Sequence, residues 1–128
     1  MNRQVIVLLL IAILLAPAVA GGVTEKDFEI DTARNLLNLC DTPVDDPLYK
    51  EAIHMCYGFL LGAYAFHLAE NTGPEGKLLV CLPQPEPTRN EGVAMFVEWL
   101  KAHPQFLNEE AVEVQFRFLT EKWPCPKR

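Results

Sequence analysis

The side chains able to do chemistry in this 128-residue chain are few: four cysteines, three histidines and scattered carboxylates, with no serine anywhere. The missing serine removes any Ser-His-Asp nucleophile. His54 and His67 stand thirteen residues apart. On a helix that is about 220° of rotation, so they share no face, and His103 is more distant still. Asp45-Asp46 and Glu109-Glu110 lie at or beside expected helix starts, where the positive end of the helix dipole accounts for paired carboxylates without catalysis. Cys40, Cys56, Cys81 and Cys125 remain. They form no C-x-x-C pair, so both a structural zinc site and a thioredoxin-type redox site lack their spacing. The closest metal-like fragment is His54-Met55-Cys56. An even set of cysteines reads instead as two disulfides if the chain reaches an oxidising compartment, where a reduced cysteine nucleophile would be out of place. No enzymatic activity, metal or other cofactor is expected.

The N-terminus supplies that compartment. Met1-Asn2-Arg3-Gln4 is a short positive head, Val5 to Ala16 is an unbroken apolar run, and Pro17-Ala18-Val19-Ala20 ends in small residues. This pattern predicts a secretory signal peptide over residues 1–20, cleaved after Ala20. The apolar run is too short to cross a bilayer, which takes about 20 residues. No cysteine follows it to carry a lipid anchor. The mature part, residues 21–128, is expected to be one soluble domain outside the cytoplasm, in the periplasm if the host is a Gram-negative bacterium, with no membrane contact after cleavage. Its ten Lys and Arg face seventeen Asp and Glu. Nucleic acids and anionic lipid are therefore poor partners, since phosphate binding needs clustered positive charge.

The mature chain reads as an all-α compact bundle of about four helices stapled by two disulfides. After a lead-in at 21–30, Asp31 or Thr32 caps a short first helix with Ala33, Leu36, Leu37 and Cys40 on one stripe. Asp46-Pro47 opens a long second helix running to about Ala69. It is apolar on nearly every face from Met55 to Phe66, which predicts a central, mostly buried helix. Leu78 to Leu82 reads as an extended or single-turn segment, because no second strand-like run is present to pair with it. Thr88 and Glu91 form a capping box for a third helix with the stripe Val93, Phe96, Val97 and Leu100. Asn108 is expected to cap a fourth, with Val112, Phe116, Leu119 and Trp123 inward and Val114 and Phe118 widening the stripe. Four cysteines allow three pairings. Short connections make neighbouring helices antiparallel, which favours Cys40 with Cys56 and Cys81 with Cys125.

Two further features bear on binding. Gly58 and Gly62 form G-x-x-x-G inside the second helix. Glycine there costs about 1 kcal/mol against alanine and calls for close backbone approach by another helix of the chain or by a second copy. Tyr57 and Tyr64, seven apart, are candidates to line that contact or to pack in the core. Asn71-Thr72-Gly73-Pro74-Glu75-Gly76-Lys77 carries turn-forming residues between the second helix and Cys81. Asn71, Glu75 and Lys77 are candidate contact residues there, with the proline-rich 83–87 stretch as competitor.

The motifs as a set, NLLNLC ending at Cys40, CYGFLLGAY at 56–64, CLPQP from Cys81, VEWLKAHP at 97–104 and the terminal WPC, resemble the Rap/Tai family over roughly Asp31 to Cys125. Members are immunity proteins of type VI secretion systems. The resemblance implies an exported, helical, disulfide-bonded and often dimeric binder that blocks a cell-wall amidase effector of the Tae type and has no catalysis of its own. It does not say which surface inhibits. A different class also fits a small, acidic, disulfide-bonded helical body: a periplasmic folding factor or stress chaperone resembling the HdeA type.

Overall fold

The computed structural model describes residues 22–127, so the expected signal peptide lies outside the described residues. Four helices carry the fold: α1 (Ala33–Cys40), α2 (Tyr49–Glu70), α3 (Arg89–Ala102) and α4 (Ala111–Lys122). Short 3-10 turns occupy Glu25–Glu29 and Pro104–Phe106. The all-helical expectation holds, and so does the pairing, Cys40 with Cys56 and Cys81 with Cys125.

Local hydrogen bonds mark the starts of α1, α2 and α3. At α1, the Asn35 side chain accepts from the Thr32 N–H and hydroxyl at 3.0 and 2.8 Å. The Ala33 and Arg34 amides donate to the carbonyls of Glu109 and Leu107, both at 2.9 Å. That pairing ties the start of α1 to the approach to α4, where Glu110 is the N-cap. Asn108, expected in that role, lies two residues early and accepts from Arg34. The carboxylate of Asp46 accepts from the Leu48 N–H at 2.8 Å, and α2 begins one residue later than that contact, at Tyr49. At α3 the capping box is present as expected: Glu91 accepts from the Thr88 N–H at 2.7 Å and donates its own N–H to the Thr88 hydroxyl.

The core forms where the inward stripes meet: Ala33, Leu36 and Leu39 of α1, Ala52 and Cys56 of α2, Val93, Phe96, Val97 and Leu100 of α3, and Ala111, Val114 and Phe118 of α4. The α3 stripe matches expectation residue for residue. In α1 Leu39 is buried along with Ala33, Leu36 and Cys40 while Leu37 is half-buried, because α1 packs against the Glu25–Glu29 turn and the other three helices and its buried arc is wider than one stripe. In α4 the buried line is Ala111, Val114, Gln115 and Phe118, leaving Val112 exposed. Phe116, Leu119 and Trp123, expected inward with it, are half-buried beside that line.

Residues 79–81 are extended, as expected, and they do find a partner. The Cys81 N–H donates to Trp123 and the Cys125 N–H to Leu79, with Val80 and Pro124 bridged antiparallel. W-P-C is too short to read as a strand, yet the Cys81–Cys125 bond holds it in register.

The long helix α2 departs furthest from expectation. Only Ala52, Cys56 and His67 are buried, one narrow line against the rest of the body. Met55, Leu61, Phe66 and Leu68 are exposed, Phe66 by 66%. The helix carries more apolar surface than the described residues cover, and by length and composition alone it would pass for a membrane span.

Candidate functional site

Helix rotation of about 100° per residue divides α2 into three strips. The first is the buried line. One flank presents Met55, Gly58, Gly62 and Phe66, and beside it a shallow groove runs past Gly58, Phe59 and Gly62 to Ile30, Glu110 and Val112. A Cβ built on Gly58 or Gly62 meets nothing within 4 Å. Among the described residues nothing packs closely on the glycine pair, and the nearest helix, α4, leaves an open groove there, so close intrachain packing does not account for G-x-x-x-G.

The other flank presents Tyr57, Leu61 and Tyr64, so the tyrosines and glycines stand on different sides of α2 rather than in one contact. With α3 and α4 this flank encloses a cleft of about 120 Å³, lined by Leu60, Leu82, Gly92, Phe96, Phe118 and Trp123 among others. At its rim the Tyr57 hydroxyl donates to Asn90 Oδ1 at 2.7 Å, and the Arg89 guanidinium lies 5.3 Å from the Tyr57 ring centre. Burial raises the Tyr64 hydroxyl above its ordinary pKa, and the Glu86 charge adds to this.

The 71–77 loop is built from its own side chains. Asn71 is half-buried and closes the loop: its Nδ2 donates to the His67 carbonyl at 2.8 Å and its Oδ1 accepts from the Lys77 N–H at 3.2 Å. Gly73 takes φ of +111°, and a Cβ at Gly76 would lie 1.9 Å from the Asn71 carbonyl oxygen. Glu75 and Lys77 are exposed. Of the three candidate residues, these two can reach a partner without opening the loop. His67, buried under the loop, accepts the Leu79 N–H on Nε2 at 3.2 Å and thereby joins α2 to the extended segment.

Sequence reasoning passed over two polar residues. Asp27 is buried and accepts from the Thr24 N–H at 2.9 Å and from Asn38 and Asn35 at 2.9 and 3.3 Å. Burial alone would raise its carboxyl pKa, but these hydrogen bonds outweigh burial and hold it below 3.8. The spacing Thr24-x-x-Asp27 was the available signal. Gln115 is 2% exposed within the α4 core line. Its Nε2 donates to the Leu60 carbonyl at 2.7 Å while its Oε1 has no partner.

Among the described residues no three His, Cys, Asp or Glu side chains gather as a metal site, and all four cysteines are bonded. His103 stacks on Trp99 at 4.3 Å and His67 packs edge-on to Phe116 at 5.1 Å, which gives both rings structural roles. A stapled helical body offering apolar strips around one long helix has the make-up of a protein-binding module. The family model for Rap1a immunity proteins matches residues 32–125, from the α1 cap to the last cysteine, and the chain belongs to that family. No curated protein and no solved structure matches it.

Proposed function

We propose that this protein is exported through its N-terminal signal and, as a mature domain over residues 21–128, binds and inhibits a peptidoglycan amidase that a type VI secretion system delivers into the periplasm. The observation carrying this reading is the immunity-family match, which spans all four helices and both disulfides. Two disulfides suit an oxidising compartment. They also keep the body rigid, which lowers the ordering cost of binding another protein. Inhibition needs no chemistry from the inhibitor, only a surface that occupies the amidase cleft.

The open α2 face at Met55, Gly58, Gly62 and Phe66 suits a second copy, because flush glycines let two helices approach closely. A homodimer would leave the tyrosine flank and the 71–77 loop, with Glu75 and Lys77, free for the effector. The test is to express the cognate amidase effector in the periplasm with and without the protein. Growth is expected only when the protein is present with its signal sequence. Lysis despite folded, exported protein would overturn the proposal, and equal protection against unrelated unfolding stress would favour a chaperone.

A further inference from the structure

His67 is a buried histidine whose two ring nitrogens both face N–H groups. Nε2 accepts from the Leu79 N–H at 3.2 Å, and Nδ1 lies 3.2 Å from Asn71 Nδ2. The Asn71 amide cannot turn to offer its oxygen instead. Its Nδ2 donates to the His67 carbonyl at 2.8 Å and its Oδ1 accepts from the Lys77 N–H at 3.2 Å, so a flip would set oxygen against oxygen and N–H against N–H. A neutral imidazole brings one ring lone pair to these donors, and an imidazolium brings none, because both of its nitrogens carry hydrogen.

The other histidines differ. His103 Nδ1 lies 2.7 Å from the Trp99 carbonyl, an acceptor, so that ring can take a second proton and keep its bond. His54 is exposed. Around His67 no carboxylate compensates, since none of the ion pairs among the described residues includes it. On α2 its titratable neighbours are Tyr64, with ring centres 6.4 Å apart and the Glu86 charge beside that tyrosine, and the exposed Glu70. From α4 the Phe116 ring faces it at 5.1 Å, while Arg117 on the same helix is paired with Glu109 and Glu113. The charged residues of the loop, Glu75 and Lys77, are exposed.

We propose that His67 is an acid-sensitive latch on residues 71–79: the neutral ring holds the loop and the extended segment to α2, and protonation releases them. A buried cation surrounded by donors and an aromatic ring is driven towards water. As it leaves, the Leu79 N–H loses its acceptor and Asn71 loses the ring beside it. Asn71 closes the loop through the Lys77 N–H, so Glu75 and Lys77 lose their fixed positions. The release is bounded, because α2 ends at Glu70 and the Cys81–Cys125 bond holds the far side. The latch goes beyond the proposed function and does not depend on any partner.

The test is an NMR titration of the mature, disulfide-bonded protein from about pH 8 to pH 5, the range in which histidine side chains change charge. The ring signals of His54, His67 and His103 are followed beside hydrogen-exchange protection of the Leu79 and Lys77 amides, corrected for the intrinsic effect of pH. Protection at both amides is expected to fall about tenfold or more with the midpoint of the His67 ring, as loss of one hydrogen bond allows, while the Leu100 and Val114 amides stay protected. His67→Gln, whose side-chain oxygen can accept the Leu79 N–H without titrating, should keep its protection across the range. A His67 ring that protonates while Leu79 and Lys77 stay protected overturns the latch, and so does a ring that stays neutral down to pH 5. A fall shared by Leu100 and Val114 would be global unfolding and would overturn it too, as would the same loss in the folded His67→Gln variant. If that variant does not fold, the native titration decides alone.

Discussion

Replacing Gly58 and Gly62 with alanine puts opposite demands on the single chain and on a dimer. In the chain, a Cβ at either site meets nothing within 4 Å, so each methyl is free of steric cost. Each substitution then gains the helix propensity that glycine lacks, about 1 kcal/mol. The pair should stabilise the monomer by about 2 kcal/mol, raising Tm by roughly 8 °C or more for a domain of this size. In a dimer built on this face the same two methyls intrude between closely approaching backbones, and overpacking of that kind costs about 1–3 kcal/mol. The dimer dissociation constant should therefore rise by about tenfold or more while each folded chain becomes more stable. Denaturant unfolding under dilute, monomeric conditions measures the first effect, and sedimentation equilibrium measures the second. Lower stability of the dilute variant would refute the open-face argument by exposing an intrachain contact. An unchanged dissociation constant would place any dimer interface elsewhere.

Three other outcomes follow from individual contacts. The folded pKa of Asp27 is lowered, so its contribution is fully present above the unfolded value of 3.8 and is lost as pH falls through the folded value. Asp27→Asn should cost about 2 kcal/mol near neutral pH and flatten the acid side of the Tm-against-pH profile, read by calorimetry. Removing Cys81–Cys125, which closes a separation of 44 residues, should cost about 4 kcal/mol on the loop-entropy model; removing Cys40–Cys56, with a separation of 16, should cost about 3 kcal/mol, compared as paired Cys→Ser variants in urea. Gly76→Ala drives a methyl into the Asn71 carbonyl and should destabilise by about 1–3 kcal/mol, whereas Glu75→Ala should stay within about 0.5 kcal/mol.

The legible parts of the fold were those written in local chemistry. The Thr88–Glu91 box and the stripe Val93, Phe96, Val97 and Leu100 gave α3 its start and its inward face, because period and cap agree there. The disulfide pairing followed from helix order, since antiparallel neighbours bring Cys81 to Cys125. Composition misled for α2: an apolar helix is buried only if something covers it, and covering by a second copy or an effector leaves the same sequence pattern as burial within one chain. The W-P-C pairing was missed because an isolated bridge of one residue pair has no periodicity to detect. In the candidate site, the sequence singled out Tyr57 and Tyr64 but not the cleft that joins them to Gly92 and Gln115, which comes from three helices distant in sequence. Gln115 could have been noticed as the one polar side chain on the inner line of α4.

The proposed inhibition of an amidase by occupation of its cleft can be measured directly. The direct measurement is peptidoglycan hydrolysis by the purified cognate effector, followed through released muropeptides as the mature, disulfide-bonded protein is titrated in. Cleavage is expected to stop at a fixed stoichiometry of protein to effector, with the inhibitor recovered intact from the complex. Undiminished cleavage in the presence of excess folded protein would contradict it.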